Sequence, residues 1–144
     1  MFNKILVPLD IEELGFADSA MEVACDLARQ QRGALDVLTV LPGYGSPMVA
    51  SFFPSDAMAK AKAQAKTELA DYVKRKVPAD MAVTVSMEEG RHYEEIVRHA
   101  RKINADLIVI SSHNREGLDG VLMGSCAQKV VEHARCSVMV VRPS

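Results

Sequence analysis

Residues 93–110 read Tyr93-Glu94-Glu95-Ile96-Val97-Arg98-His99-Ala100-Arg101-Lys102-Ile103-Asn104-Ala105-Asp106-Leu107-Ile108-Val109-Ile110, and their period changes partway through. Tyr93, Ile96, Val97 and Ala100 recur at three- and four-residue steps, the spacing that lines one face of a helix. After Asp106 that period stops, and Leu107 to Ile110 form an unbroken apolar run. A strand buried on both faces has this look, because the helices of a parallel sheet cover both of its sides. A helix feeding such a strand is half of a β–α–β unit.

The alternation continues in both directions. Upstream, Ile5-Leu6-Val7 is a short apolar strand closed by Pro8 and Asp10. Ala17, Ala20, Met21, Ala24, Leu27 and Ala28 then carry a helical stripe, with Gly33 as its natural stop. Leu35 to Leu41 is a second apolar strand, ended by Pro42-Gly43. Ala57, Ala61, Ala65, Leu69 and Tyr72 share one face of an Ala- and Lys-rich helix that reaches Lys76, with Ser55 or Asp56 placed to cap it. Val83 to Met87 alternates like a half-exposed edge strand, broken by Gly90. Downstream come a loop from Ser111 to Leu122, a helix from about Ser125 to Ala134, and a last strand, Ser137 to Val141. Parallel strands need helix-length, right-handed crossovers. The pattern therefore predicts a doubly wound α/β fold, a five-stranded parallel sheet with helices on both faces, as a single domain over residues 1–144.

Bulk properties narrow the function. The 144 residues are 49% hydrophobic and 25% charged, an ordinary globular balance that excludes disordered and collagen-like chains. A net charge of -2 supplies no basic field, which argues against a nucleic-acid partner. Cys25, Cys126 and Cys136 are odd in number and lack metal-ligand spacing, so they read as reduced thiols of a reducing compartment. The apolar N-terminus is too short for a signal sequence, and Asp10, Glu12 and Glu13 follow it at once. No stretch approaches the roughly 20 apolar residues of a membrane span. A cytoplasmic protein without a membrane partner is expected.

In an open doubly wound sheet, ligands bind beyond the carboxyl ends of the strands where the strand order reverses. That rule selects Asp10, Val40 to Gly43, Ser111 to Asn114, and the nearby Gly124-Ser125 pair. A Gly-Ser pair opening a helix offers free N–H groups, a hydroxyl and the positive end of the dipole, a combination suited to phosphate. Taken alone, the pair is more often a plain helix cap at Ser125 with a turn at Gly124. The glycines Gly117, Gly120 and Gly124 do not make a Rossmann fingerprint, and no P-loop Gly-Lys-Ser/Thr is present. His92, His99 and His133 read as solvated or packing residues, whereas His113 lies in the candidate phosphate loop. Arg91 reads as a solvated arginine, and no nucleophile elbow surrounds Ser125. Pro42 to Pro54 is long for a loop in a compact domain, which predicts a mobile segment whose Met48, Val49, Phe52 and Phe53 need cover.

These residues also carry a resemblance. Ile5-Leu6-Val7-Pro8-Leu9-Asp10 resembles the opening strand of the universal stress protein family, which typically ends in Val-Pro-x-Asp. Glu89-Gly90, Glu94-Glu95-Ile96-Val97 and Ala105 to Ile110 are similar to its middle. Ser112-His113, Leu122-Met123-Gly124-Ser125, Val130-Val131 and Ala134 to Arg142 are similar to its ending. The resemblance implies the sheet order 3-2-1-4-5, a dimer, and in many members a bound ATP or AMP. Nucleotide-binding members carry Gly-x-x-Gly, nine residues, then Gly-Ser or Gly-Thr. Here Gly124-Ser125 stands at that spacing from Asn114, while Ser111 and Asn114 occupy the places of the two glycines. Asn tolerates positive φ better than other non-glycine residues, and Ser111 adds a hydroxyl.

Switch-point geometry and resemblance together predict that Asp10, Val40 and Ile110 border adenine and ribose. Ser112, His113, Asn114, Gly124 and Ser125 are expected around the phosphates, and Pro8, Ser111 and Cys126 complete the nucleotide set. The ligand is ATP or AMP, with or without Mg²⁺, and no catalytic or metal-binding residue is assigned. In the family's order the last strand is a sheet edge. Charge is absent between Cys136 and Arg142, which predicts a homodimer through that strand. Three functions remain open on sequence alone. They are a nucleotide-binding stress-response regulator, a nucleotide-free interaction or chaperone-like protein, and a slow ATP hydrolase.

Overall fold

The computed structural model describes residues 1–43, 56–112 and 123–143. Among them the elements are β1 (Lys4–Leu9), a 3-10 turn (Leu14–Ala17), α1 (Asp18–Gln31), β2 (Ala34–Leu41) and α2 (Ala57–Lys76). Then follow β3 (Val83–Glu89), α3 (His92–Lys102), β4 (Leu107–Ser111), α4 (Ser125–His133) and β5 (Ser137–Val141). The strands form one five-stranded sheet in the order β3-β2-β1-β4-β5, with every pairing parallel. The predicted fold class and strand order are both observed.

Side chains alternate across each strand, so the sheet has two apolar faces. Ile5, Val7, Leu35, Val37, Leu107 and Val109 pack with α1 and α2, where Met21, Ala24, Leu69 and Tyr72 are the main buried partners. Leu6, Leu38, Val40, Ile108 and Ile110 face Ile96 and Ala100 of α3 and Ala127 and Val130 of α4. Burial on both faces is why β1, β2 and β4 read as unbroken apolar runs. Asp106 stitches the sheet at its lower end, where Oδ2 accepts hydrogen bonds from the N–H groups of Asn3 and Lys4 at 2.9 and 3.0 Å.

Two expected helix signals work differently from the reading. Gly33 follows α1, but the left-handed residue is Arg32, with φ of 53°. Glycine is needed at 33 for space: a Cβ there would lie 2.7 Å from the carbonyl oxygen of Phe2. Asp56 stands at the start of α2 without a side-chain cap. Its carboxylate instead pairs with Lys60 one turn on, at 2.9 Å. Ser55 lies outside the described residues, as does most of the predicted Pro42–Pro54 loop.

Candidate functional site

β1 is flanked by β2 on one side and β4 on the other, so the order reverses at the carboxyl end of β1. Asp10 follows β1 directly. Its Oδ1 accepts the N–H of Glu12 at 3.1 Å and its carbonyl accepts the N–H of Glu13 at 3.0 Å, which turns the chain into the 3-10 segment. On the adjoining strands, Val40 and Ile110 are buried and belong to one apolar cluster with Ala127. Cys126 packs against that cluster. Burial pushes the Cys126 thiol up in pKa, and the neighbouring Asp10 carboxylate adds to the rise. Pro8 is buried in β1 and pairs in register with Leu38. Asp10, Val40, Ile110 and Cys126 thus meet at the switch point.

Gly124 is the N-cap of α4, buried, with φ −57° and ψ 149°. Ser125 is the first helical residue and exposed. The first N–H groups of any helix lack an intrahelical acceptor, so this end of α4 presents donors. Ser112 follows β4, and its N–H donates to the Val141 carbonyl at 3.0 Å. Ser111 turns away from the group. Its hydroxyl donates to the Phe16 carbonyl at 3.0 Å, on the α1 side of the sheet that Leu107 and Val109 also face. His113 and Asn114 lie outside the described residues. Arg91 is exposed and pairs with Glu94 at 3.6 Å.

The rim between β2 and β3 needs glycine for its backbone. Gly90 has φ of 140°, and its N–H donates to the Leu41 carbonyl at 3.0 Å. Gly43 comes close to it, since a Cβ there would sit 3.9 Å from Gly90 Cα.

One cluster escaped the sequence reading. His99 of α3 is buried, with Nε2 3.3 Å from Asp36 Oδ2 and Nδ1 3.2 Å from Glu88 Oε1. Glu88 also meets Lys102 at 3.6 Å and Arg98 at 4.0 Å. Asp36 Oδ1, also buried, has no hydrogen-bond partner among the described residues. The available signal was a carboxylate inside the apolar run Leu35 to Leu41. Among the described residues, no group of three or more His, Cys, Asp or Glu is arranged to hold a metal ion. No described helix is long and apolar enough to cross a membrane.

At the far edge of the sheet, β5 leaves Met139 36% exposed, and on α4 Val131 is 44% exposed. Val138, Val140 and Val141 are half-buried.

Comparisons with known proteins agree with this architecture. The model of the universal stress protein family matches residues 1–142. Universal stress protein MJ0531 of Methanocaldococcus jannaschii is 31% identical over 147 residues, covering 99% of this chain and 83% of the relative. The solved structure of the hypothetical protein MJ0577 superimposes with a TM-score of 0.83 at 25% identity, covering 100% of this chain and 98% of that one. A universal stress protein solved in complex with cAMP superimposes with a TM-score of 0.76 at 17% identity, covering 99% of each chain. This chain belongs to the universal stress protein family.

Proposed function

We propose that this chain binds an adenine nucleotide, ATP or AMP with or without Mg²⁺. In this reading it acts in the cytoplasmic stress response as a homodimer, each subunit a single domain over residues 1–144. Val40 and Ile110, with Pro8, flank the adenine, and the Asp10 carboxylate accepts hydrogen bonds from ribose hydroxyls. The amino end of α4, through Gly124, Ser125 and Cys126, receives the phosphates together with Ser112, His113 and Asn114. Ser111 supports the site from behind by holding the 3-10 turn that follows Asp10.

The observation that carries this reading is Gly124. Its φ of −57° suits any residue, so backbone conformation does not require glycine there. It is nevertheless buried at the head of a helix, two residues before Cys126, which packs against the cluster of Val40 and Ile110. A buried helix end that carries no side chain at its N-cap and presents N–H groups fits close approach by an anion. The cAMP bound to a protein of the same fold supports the adenine class.

Co-purified nucleotide tests the reading. The chain has no Trp, so bound adenine will dominate the absorbance near 260 nm. A raised 260/280 nm ratio that falls after acid extraction is expected. Nucleotide-free protein that also takes up no added ATP or AMP favours the interaction-protein reading instead.

A further inference from the structure

We propose that Asp36, His99 and Glu88 form a proton-operated latch that holds the carboxyl end of β3 against the sheet and makes the neighbouring site respond to pH. The regulatory half of this inference rests on the nucleotide reading; the latch itself does not.

Both ring nitrogens of His99 face carboxylate oxygens, Nε2 toward Asp36 and Nδ1 toward Glu88. Only the doubly protonated ring donates to both, because a neutral imidazole has one N–H and one lone pair. The two carboxylates are not equivalent. Asp36 Oδ1 has no hydrogen-bond partner among the described residues, so Asp36 relies on the His99 contact at Oδ2. Glu88 is more exposed and keeps Lys102 and Arg98 as further partners. When the ring gives a proton to solvent, the N–H that stays is therefore the one on Nε2, facing Asp36. The lone pair then falls on Nδ1, pointed at Glu88, and that contact is the one released.

The charged surroundings keep the event local. β2 contributes Asp36 and β3 contributes Glu88. On α3 itself, Arg98 pairs with Glu95 as well as with Glu88, and Lys102 reaches Glu88. From α4, Lys129 sits over the Tyr93 ring at 4.9 Å and His133 stacks on the same ring at 5.5 Å.

Release at Glu88 reaches the candidate site by a short route. Glu88 pairs in register with Val40, and Glu89 pairs with Leu41. Gly90, two residues on, donates its N–H to the Leu41 carbonyl. Loosening this end of the edge strand loosens the wall that carries Val40. The sign follows: the latch is closed while the ring carries both protons, and opens when a rise in pH removes one of them.

The test uses the whole chain without ligand and then with AMP. Nitrogen NMR of the His99 ring and amide exchange at Met87 to Gly90, expressed at each pH relative to the same amides in an unfolded chain, are followed from about pH 5.5 to 8. A ring that changes from two N–H groups to one, retaining Nε2–H, with faster exchange at Met87 to Gly90, is expected. AMP affinity should fall about fivefold or more over the same range, within ordinary coupling between sites. The variant carrying both Asp36→Leu and His99→Leu replaces the pair with apolar packing and should lose both pH dependences while staying folded. Exchange that is independent of pH in the wild type, or equally pH-dependent in the double variant, overturns the latch. An exchange contrast without AMP binding at any pH supports the latch and overturns the nucleotide reading with its regulation.

Discussion

Asp36 Oδ2 and His99 Nε2 lie 3.3 Å apart between β2 and α3, and each side chain is 4% exposed. Removing one partner strands the other, and the two directions differ. His99→Leu leaves a buried carboxylate without its donor, which should cost about 3–5 kcal/mol. Asp36→Leu should cost less, because a neutral His99 can still donate from Nδ1 to Glu88. The double Leu variant should approach wild-type stability. Urea denaturation of the three variants checks this ordering.

Gly33→Ala should destabilise the fold by about 1–3 kcal/mol, since its Cβ would lie 2.7 Å from the Phe2 carbonyl oxygen and 3.0 Å from that of Asn3. Both obstacles are backbone, so β1 must shift to relieve them. Gly15→Ala, with nothing within 4 Å of its Cβ, should be close to neutral at the urea midpoint.

Stability should decline in alkali. Burial pushes the thiols of Cys25, Cys126 and Cys136 above their usual 9.0. Burial first, then the hydrogen bond to Asp18 at 2.8 Å, pushes the Tyr72 hydroxyl above its usual 10.0. A group whose pKa is raised by folding stabilises the native state fully below its unfolded value. As pH passes that value the unfolded chain ionises first, and the contribution is lost. The melting temperature should therefore hold up to about pH 8.5 and fall beyond it. Tyr72→Phe should lessen that fall.

The homodimer through β5 should be sensitive to Val140, which is half-buried in a single subunit. An antiparallel pairing of β5 with its copy would cover Met139 and the exposed Val131. Sedimentation should give a dimer at micromolar concentration for the wild type and a monomer for Val140→Lys, whose charge would be buried unpaired. A wild-type monomer, or an intact dimer in the variant, refutes this interface.

The fold was legible because period and sequence order agreed at each element. Ser137 to Val141 is β5 as read, and the weak alternation of Val83 to Met87 marks the edge strand β3. At the site, chain topology alone brings Asp10, Val40, Ile110 and Cys126 to one end of the sheet. Ser111 shows what residue type leaves out. It shares the strand parity of Leu107 and Val109, so its hydroxyl serves Phe16 on the opposite face. His99 sits at helical spacing from Ile96, and a choice between a solvated and a packing histidine is made only when α3 is laid on the sheet and buries it. Its partner Asp36 is 63 residues away in sequence, and only the packed structure joins them.

Nucleotide binding is tested most directly by calorimetric titration of ATP and AMP into the wild type and Gly124→Val. The φ and ψ at 124 accommodate valine, so circular dichroism should report an unchanged fold. The account predicts saturable binding of an adenine nucleotide by the wild type. It predicts at least about a tenfold loss in the variant, whose side chain fills the space where phosphate meets the α4 amino end. Equal affinity in both proteins, or no heat from either nucleotide with the wild type, would contradict it.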